Sequence, residues 1–132
     1  MAKSIEMFGQ FTYGPELSYN ELMEAEAFLR REVANTLQEH SAEFVHFEGL
    51  GSILRVQCVF RVFGEGLFHA LCEAFAPLAK GDIEARFLFV DKNLDKLALY
   101  TLSAGQWRES LLDIPPAGPI GKQIQKSAYS GK

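Results

Sequence analysis

The sequence predicts an α+β protein in which an antiparallel sheet carries two helices on one face. Two segments have apolar residues at helical spacing, and several short segments alternate apolar and polar residues as strands do. Short turns join the last strands, which predicts a meander and not a parallel repeat. The element order is therefore β-α-β-β-α-β, a ferredoxin-like order, followed by a C-terminal β-meander. The alternative is a more curved sheet, formed by the meander around one helix.

Length and composition predict one domain. The chain has 132 residues and is 48% hydrophobic, so it can bury a core without a disulfide or a metal. We expect residues 1–114 to form a single α+β domain. Residues 115–132 contain Pro, Gly and Lys and form a basic tail that we expect to be mobile. The 11 Phe residues predict a well-filled core and leave apolar surface available for a partner.

The first strand and the first helix have clear boundaries. Residues 5–13 alternate as a strand, in which Gly9 predicts a bulge. Ser18 and Glu21 have the spacing of a capping box, and the helix continues to about His40. Its apolar stripe consists of Leu22, Ala25, Leu29, Val33 and Leu37, widened by Met23 and Phe28.

The next two strands are predicted at 42–48 and 52–63, joined by a turn at 49–51. In the second strand, alternate residues divide between a core face and an open face. The core face has Leu54, Val56, Cys58, Phe60 and Val62, and the open face has Arg55, Gln57, Val59 and Arg61.

The second half begins with a helix over 67–79, which Gly81 ends by adopting a left-handed conformation. Strands follow at 83–90, 97–102 and 106–111. The last of these carries Trp107, which we expect to pack towards the core.

Charge is unevenly distributed along the chain. Residues 1–50 contain nine acidic and three basic residues, whereas residues 51–132 contain eight acidic and ten basic residues. This balance argues against nucleic-acid binding. Two cysteines and short apolar runs predict a cytoplasmic protein that does not associate with membranes.

Two motifs in the sequence resemble sites of ligand or metal binding. Gly64 and Gly66 precede a helix, as in a phosphate-binding loop, but His69 replaces the third glycine and Glu65 adds a negative charge. We therefore interpret them as a tight turn and predict no cofactor. His69 and Glu73 share a helix face and are weak candidate ligands, but a metal site needs more donors. Cys58 and Cys72 are expected in the core, so no metal is predicted.

The open strand face is the preferred candidate site. It combines Arg55, Gln57 and Arg61 with Phe44 and His46 of the preceding strand, and arginine and aromatic residues are enriched at protein interfaces.

We therefore predict a small noncatalytic module, either an adaptor or an inhibitor, that binds a protein or a second copy of itself through an exposed sheet face or edge. The alternative is a small enzyme or ligand-sensing domain with a pocket between sheet and helices, involving His46, His69 and Glu73. No catalytic motif is present, so the sequence favours a noncatalytic function without deciding it.

Overall fold

The computed structural model describes residues 4–14, 17–61, 64, 66–91 and 96–113. Within these residues the protein is a mixed α+β structure with one six-strand antiparallel open sheet and two α-helices. The elements are β1 (Ile5–Thr12), α1 (Tyr19–Glu39), β2 (Glu43–Gly49), β3 (Ile53–Phe60), α2 (Leu67–Phe75), β4 (Glu84–Asp91), β5 (Lys96–Ser103) and β6 (Gln106–Asp113).

The strand order is β2-β3-β1-β4-β5-β6, with β1 at the centre between β3 and β4. This order differs from a plain four-strand ferredoxin-like sheet, because β5 and β6 continue the sheet beyond β4. The predicted meander is therefore part of the main sheet.

Both helices cover the same face of the sheet. The buried residues of α1 are Leu29, Val33 and Leu37, and those of α2 include Leu71 and Phe75. These helix residues form one core with alternate residues of four neighbouring strands of the sheet, β3, β1, β4 and β5. The strand residues of this core are Ile5, Met7, Phe11, Leu54, Val56, Cys58, Phe60, Ala85, Phe87, Phe89, Ala98, Tyr100 and Leu102. Neither helix of the described part of the chain lies on the opposite face of the sheet.

Helix α1 begins as the sequence predicts. Ser18 accepts a hydrogen bond from the Glu21 amide at 3.2 Å, and the Glu21 carboxylate accepts one from the Ser18 amide at 2.8 Å. The predicted widening of the apolar stripe is wrong, because Met23 is 54% exposed and Phe28 is 40% exposed. Glu26 and Arg30 form an i,i+4 ion pair at 2.9 Å on this helix.

Gly9 marks a close contact and not the predicted bulge. The pairing of β1 is continuous through Gly9, which lies opposite Val56 on one side and Phe87 on the other. A Cβ atom at this position would lie 2.5 Å from Cε1 of the Phe87 ring. The absence of a side chain therefore lets Phe87 lie against the strand, where its ring stacks on Phe75 at 4.9 Å.

The irregular strand is β2, whose register with β3 shifts between Glu43 and His46. Phe44 lies in this shifted segment and has a positive φ of 56°. Such a conformation is rare for an aromatic residue and indicates a local constraint.

Helix α2 is shorter than predicted. It ends at Phe75 and continues as a 3₁₀ turn over Ala76–Leu78, because Pro77 has no amide hydrogen to donate to the preceding turn. Gly81 has the expected left-handed conformation, with φ 64°. The predictions for the 115–132 tail, for Val62 and for residues 92–95, in the short turn between the strands predicted at 83–90 and 97–102, lie outside the described residues.

Candidate binding surface

The uncovered face of the sheet, called here the open face, is organised in rows that cross the strands. The arginine row contains Arg55, Gln10, Arg86, Thr101 and Arg108, with Glu48 at its β2 end. The apolar row contains Phe8, Leu88 and Leu99, with Gln57 and His46 on one side and Ser110 on the other. The Glu6 row contains Glu6, Val59, Val90 and Leu97, with Glu43 at its β2 end.

The arginine row has two guanidinium groups near the centre of the sheet. Gln10 lies directly opposite Arg55 on β3 and directly opposite Arg86 on β4. Neighbouring strands are about 4.8 Å apart, so the backbones of the two arginines are separated by roughly 10 Å. Arg55 Nε donates a hydrogen bond to Oε1 of Gln10 at 3.4 Å.

A groove of about 510 Å³ runs between the arginine row and the apolar row. Its lining residues are Phe8, Gly9, Gln10, His46, Glu48, Arg55, Val56, Gln57, Arg86, Leu88 and Leu99. Apolar side chains with a few polar groups beside them are typical of a surface that binds a partner or a ligand.

The charges and apolar side chains of this groove are available to a partner. Phe8 is 42% exposed, and Arg55 and Arg86 are both exposed. Within the described part of the chain, neither arginine has a carboxylate oxygen within 4.0 Å. Glu48 lies directly opposite Arg55 on the neighbouring strand, but the two side chains form no ion pair within 4.0 Å.

The structure divides the predicted site residues into two groups. His46, Arg55 and Gln57 line the groove. Phe44 and Arg61 do not line it and instead contact each other, with the Arg61 guanidinium 5.4 Å from the centre of the Phe44 ring. Arg61 Nε also lies 3.7 Å from Glu43 Oε1.

Sequence analysis missed half of the groove. Phe8, Gln10, Arg86, Leu88 and Leu99 come from β1, β4 and β5, none of which was considered for the site. The alternation within these strands assigns each residue to a face, but it does not show which strands are neighbours. The central position of β1 between β3 and β4 brings Arg86 next to Gln10.

A second group of polar residues lies on the helix face of the sheet. His69 Nε2 is 3.0 Å from Glu109 Oε2, and the Tyr100 hydroxyl donates a short hydrogen bond to the same oxygen. Trp107 packs against the core, as expected, and its Nε1 donates to Glu73 Oε1 at 3.1 Å. These bonds connect α2 to β6, so this group stabilises the position of the helix.

The electrostatics of this second group agree with a structural role. The hydrogen bond from Tyr100, followed by the one with His69, lowers the pKa of Glu109. Burial, together with Glu109, raises the pKa of Tyr100. The carboxylate is thus held ionised and the phenol neutral, and neither is poised to exchange a proton near neutral pH.

The residues suspected of metal or catalytic chemistry do not converge. His46 lies on the open face, whereas His69 and Glu73 lie on the helix face. Among the described residues, no group of three or more His, Cys, Asp or Glu could hold a metal ion. Cys58 and Cys72 are buried, free thiols, and burial raises the pKa of each to about 12.

Comparison with known proteins gives no family assignment: no family model matches the sequence, and no curated protein is significantly similar to it.

In the described part of the chain, neither helix is long and apolar enough to cross a membrane.

Proposed function

We propose that the protein is a small noncatalytic module, an adaptor or an inhibitor, that binds another polypeptide through the open face of its sheet. The observation that supports this most strongly is the position of two guanidinium groups, Arg55 and Arg86, directly beside an exposed apolar row, with no ion pair to either among the described residues. Arginine and aromatic side chains at the centre of a surface are characteristic of protein interfaces.

Binding of a partner to the uncovered face of the sheet would also bury apolar area, which is energetically favourable. The apolar row presents Phe8, Leu88 and Leu99 in one line across three adjacent strands. Leu88 and Leu99 are only partly buried, so each still has apolar area to remove from water. Every Å² of that area buried by a partner contributes about 25 cal/mol.

The face of the sheet is better suited to binding than its edge. Strand β2 is one edge, and its register shift near Phe44 interrupts the regular row of backbone groups that an added strand would need. Bulges and charged residues are common devices that prevent edge-to-edge pairing. Glu43 and Glu48 place such charges on this edge strand.

The test is photo-crosslinking with two variants, in which benzoylphenylalanine replaces either Gln57 or Gln38. Both positions are exposed, but Gln57 lines the groove and Gln38 lies on α1. We expect polypeptide adducts from the Gln57 probe in cells, and their loss when Arg55→Ala and Arg86→Ala are added. Adducts of equal yield from both positions, or none from Gln57, would contradict the proposal.

A ligand-sensing function is the second candidate, because the groove has the volume of a small-molecule site. Arg55, Gln10 and Arg86 would suit a carboxylate or phosphate on an otherwise apolar molecule. This groove lies on the face opposite the helices, whereas the sequence suggested a pocket between sheet and helices. Native mass spectrometry distinguishes the two functions, because a retained ligand adds a small mass that disappears on denaturation.

Three finer predictions belong to the same proposal. The pairing of β1 with both β3 and β4 supports a ferredoxin-like arrangement of the first four strands. Buried free thiols at Cys58 and Cys72 suit a reducing, cytoplasmic location. The partner is not a nucleic acid, because Glu6 and Glu48 share the open face with the arginines and the net charge is −4.

A further inference from the structure

The charges on the open face are self-complementary, and this points to one particular partner. Three arginines and four glutamates lie on this face of the described strands: Arg55, Arg86 and Arg108, and Glu6, Glu43, Glu48 and Glu84. A balanced face with an apolar centre is what a two-fold symmetric contact requires, because the same patch serves both copies.

We propose that the open face binds a second copy of this chain, with a two-fold axis along the apolar row. This inference rests on the proposed function and names its partner. Rotation about that axis places the apolar row of one copy on the apolar row of the other, so Phe8, Leu88 and Leu99 each meet their own equivalent. The same rotation exchanges the rows on either side. The arginine row of each copy then faces the Glu6 row of the other.

The central ion pairs follow from the register. Glu6 lies on β1 in line with Val59 and Val90, two positions from Phe8 and on the side away from Gln10. In the two-fold arrangement the partner's Glu6 therefore lies above Gln10, between Arg55 and Arg86. A carboxylate between two guanidinium groups accepts hydrogen bonds from both.

The charge pattern also argues against the other two-fold arrangement of the open faces, in which the axis follows a strand instead of crossing the strands. A two-fold axis along β1 would place Gln10 on Gln10 and would bring Arg55 of one copy next to Arg86 of the other. It would also place Glu6 directly on the partner's Glu6. The axis along the apolar row also brings two carboxylates together, because Glu48 of one copy meets Glu43 of the other, but this contact lies at the β2 edge and Glu43 has Arg61 at 3.7 Å. Like charges facing each other at the centre of an interface are strongly unfavourable, so the observed rows favour the axis along the apolar row.

The size of the face is sufficient for a stable dimer. Six strands of about 4.8 Å spacing and eight-residue length give a sheet of roughly 29 by 26 Å, or about 750 Å² in projection. A standard interface buries roughly 800 Å² on each partner. Two stacked sheets are also a common packing arrangement, with strand directions crossing at about 30°.

The experiment compares two charge-reversed variants, E6R and R55E/R86E, alone and mixed. Each variant alone faces like charges across the axis, so we expect its dimer dissociation constant to rise by roughly 100-fold or more. A 1:1 mixture restores both contacts, because each copy then meets the opposite charge. Sedimentation velocity is expected to show monomers for each variant and a heterodimer for the mixture.

Controls separate folding from assembly. E24R changes the charge of an exposed α1 residue by the same amount and is expected to dimerise like the wild type, and circular dichroism confirms that each variant is folded. A wild type that stays monomeric, a dimer that tolerates either variant, or a mixture that stays monomeric overturns the proposal. If the wild type is monomeric while the Gln57 probe still crosslinks another polypeptide, the self-association is wrong and the proposed function stands.

Discussion

The guanidinium of Arg55 donates to the side-chain amide of Gln10, on the face of the sheet that neither helix covers. The carboxylate nearest to Arg55 in register is Glu48, yet the two form no ion pair within 4.0 Å. The neutral amide orients the guanidinium without compensating its charge. The positive charge therefore remains available to an anionic group from outside the chain.

Removing the two groove arginines should abolish binding and leave the stability of the fold nearly unchanged. Arg55→Ala with Arg86→Ala removes exposed side chains without an ion pair among the described residues, so we expect the free energy of unfolding, measured at a concentration where the wild type is monomeric, to change by less than about 0.5 kcal/mol for each. Assembly, measured by sedimentation, should be lost. Arg30→Ala is the contrasting variant, because Arg30 pairs with Glu26 and covers the Phe47 ring; it should leave assembly intact. A large loss of stability in the double variant would contradict the account of the groove.

Gly9→Ala should destabilise the fold, because the new methyl group would overlap the Phe87 ring and also lie 3.0 Å from Val56 Cγ1. Overpacking of this kind typically costs 1–3 kcal/mol, so we expect a loss of about 2 kcal/mol in urea unfolding. Gly64→Ala is the matched control, since its Cβ would meet nothing within 4 Å. Equal midpoints for the two variants would show that Phe87 accommodates the methyl group.

Acid should weaken the attachment of α2 to β6. The pKa of Glu109 is below its ordinary value of 4.5 because of its bonds with Tyr100 and His69. A carboxyl group with a lowered folded pKa stabilises the protein above its unfolded pKa, and the contribution is lost as the pH falls through the folded pKa. We therefore expect Glu109→Gln to be less stable than the wild type at neutral pH, with the difference shrinking below pH 4.5.

Urea midpoints measured across this pH range provide the check. Glu24→Gln, which changes an exposed carboxylate on α1, controls for the general effect of removing a negative charge. A difference between wild type and Glu109→Gln that stays constant with pH would mean that the ionised carboxylate contributes nothing specific at this position.

The two native thiols should resist alkylation until the protein unfolds. Cys58 is 3% exposed and Cys72 is fully buried, and burial raises the pKa of each thiol to about 12. The reactive thiolate is therefore scarce at neutral pH. Iodoacetamide labelling followed by mass spectrometry should give no adduct in buffer and two in urea. Ser103→Cys, at an exposed position, should label at once, and equally rapid labelling of the native thiols would refute their burial.

Local patterns in the sequence were sufficient to predict the helices and strands. The capping box at Ser18, the stripe through Leu29 and Val33, and the alternation of β3 depend on residues that are near one another in the chain. Each of these predictions was confirmed, with boundaries shifted by a few residues. Where local reasoning failed, a tertiary contact decided the outcome: Gly9 is required by the Phe87 ring, which lies 78 residues further along the chain.

The site was only partly predictable for the same reason. His46, Arg55 and Gln57 lie on two strands joined by a short turn, so their common face followed from alternation alone. Arg86 belongs to the groove because β1 lies between β3 and β4, and no spacing in the sequence specifies that order. Arg61 was assigned to the same face by alternation, but the register shift in β2 pairs it with Phe44 instead.

Hydroxyl-radical footprinting of Phe8 and Phe28 tests the central claim most directly. The two side chains are the same residue type with nearly equal exposure in the isolated chain, 42% and 40%. Phe8 lies on the open face and Phe28 on α1. If the open face binds a polypeptide, Phe8 is oxidised several times more slowly than Phe28 in the assembled protein, and the difference disappears with Arg55→Ala and Arg86→Ala. Equal oxidation of the two rings in the assembled protein would contradict the claim.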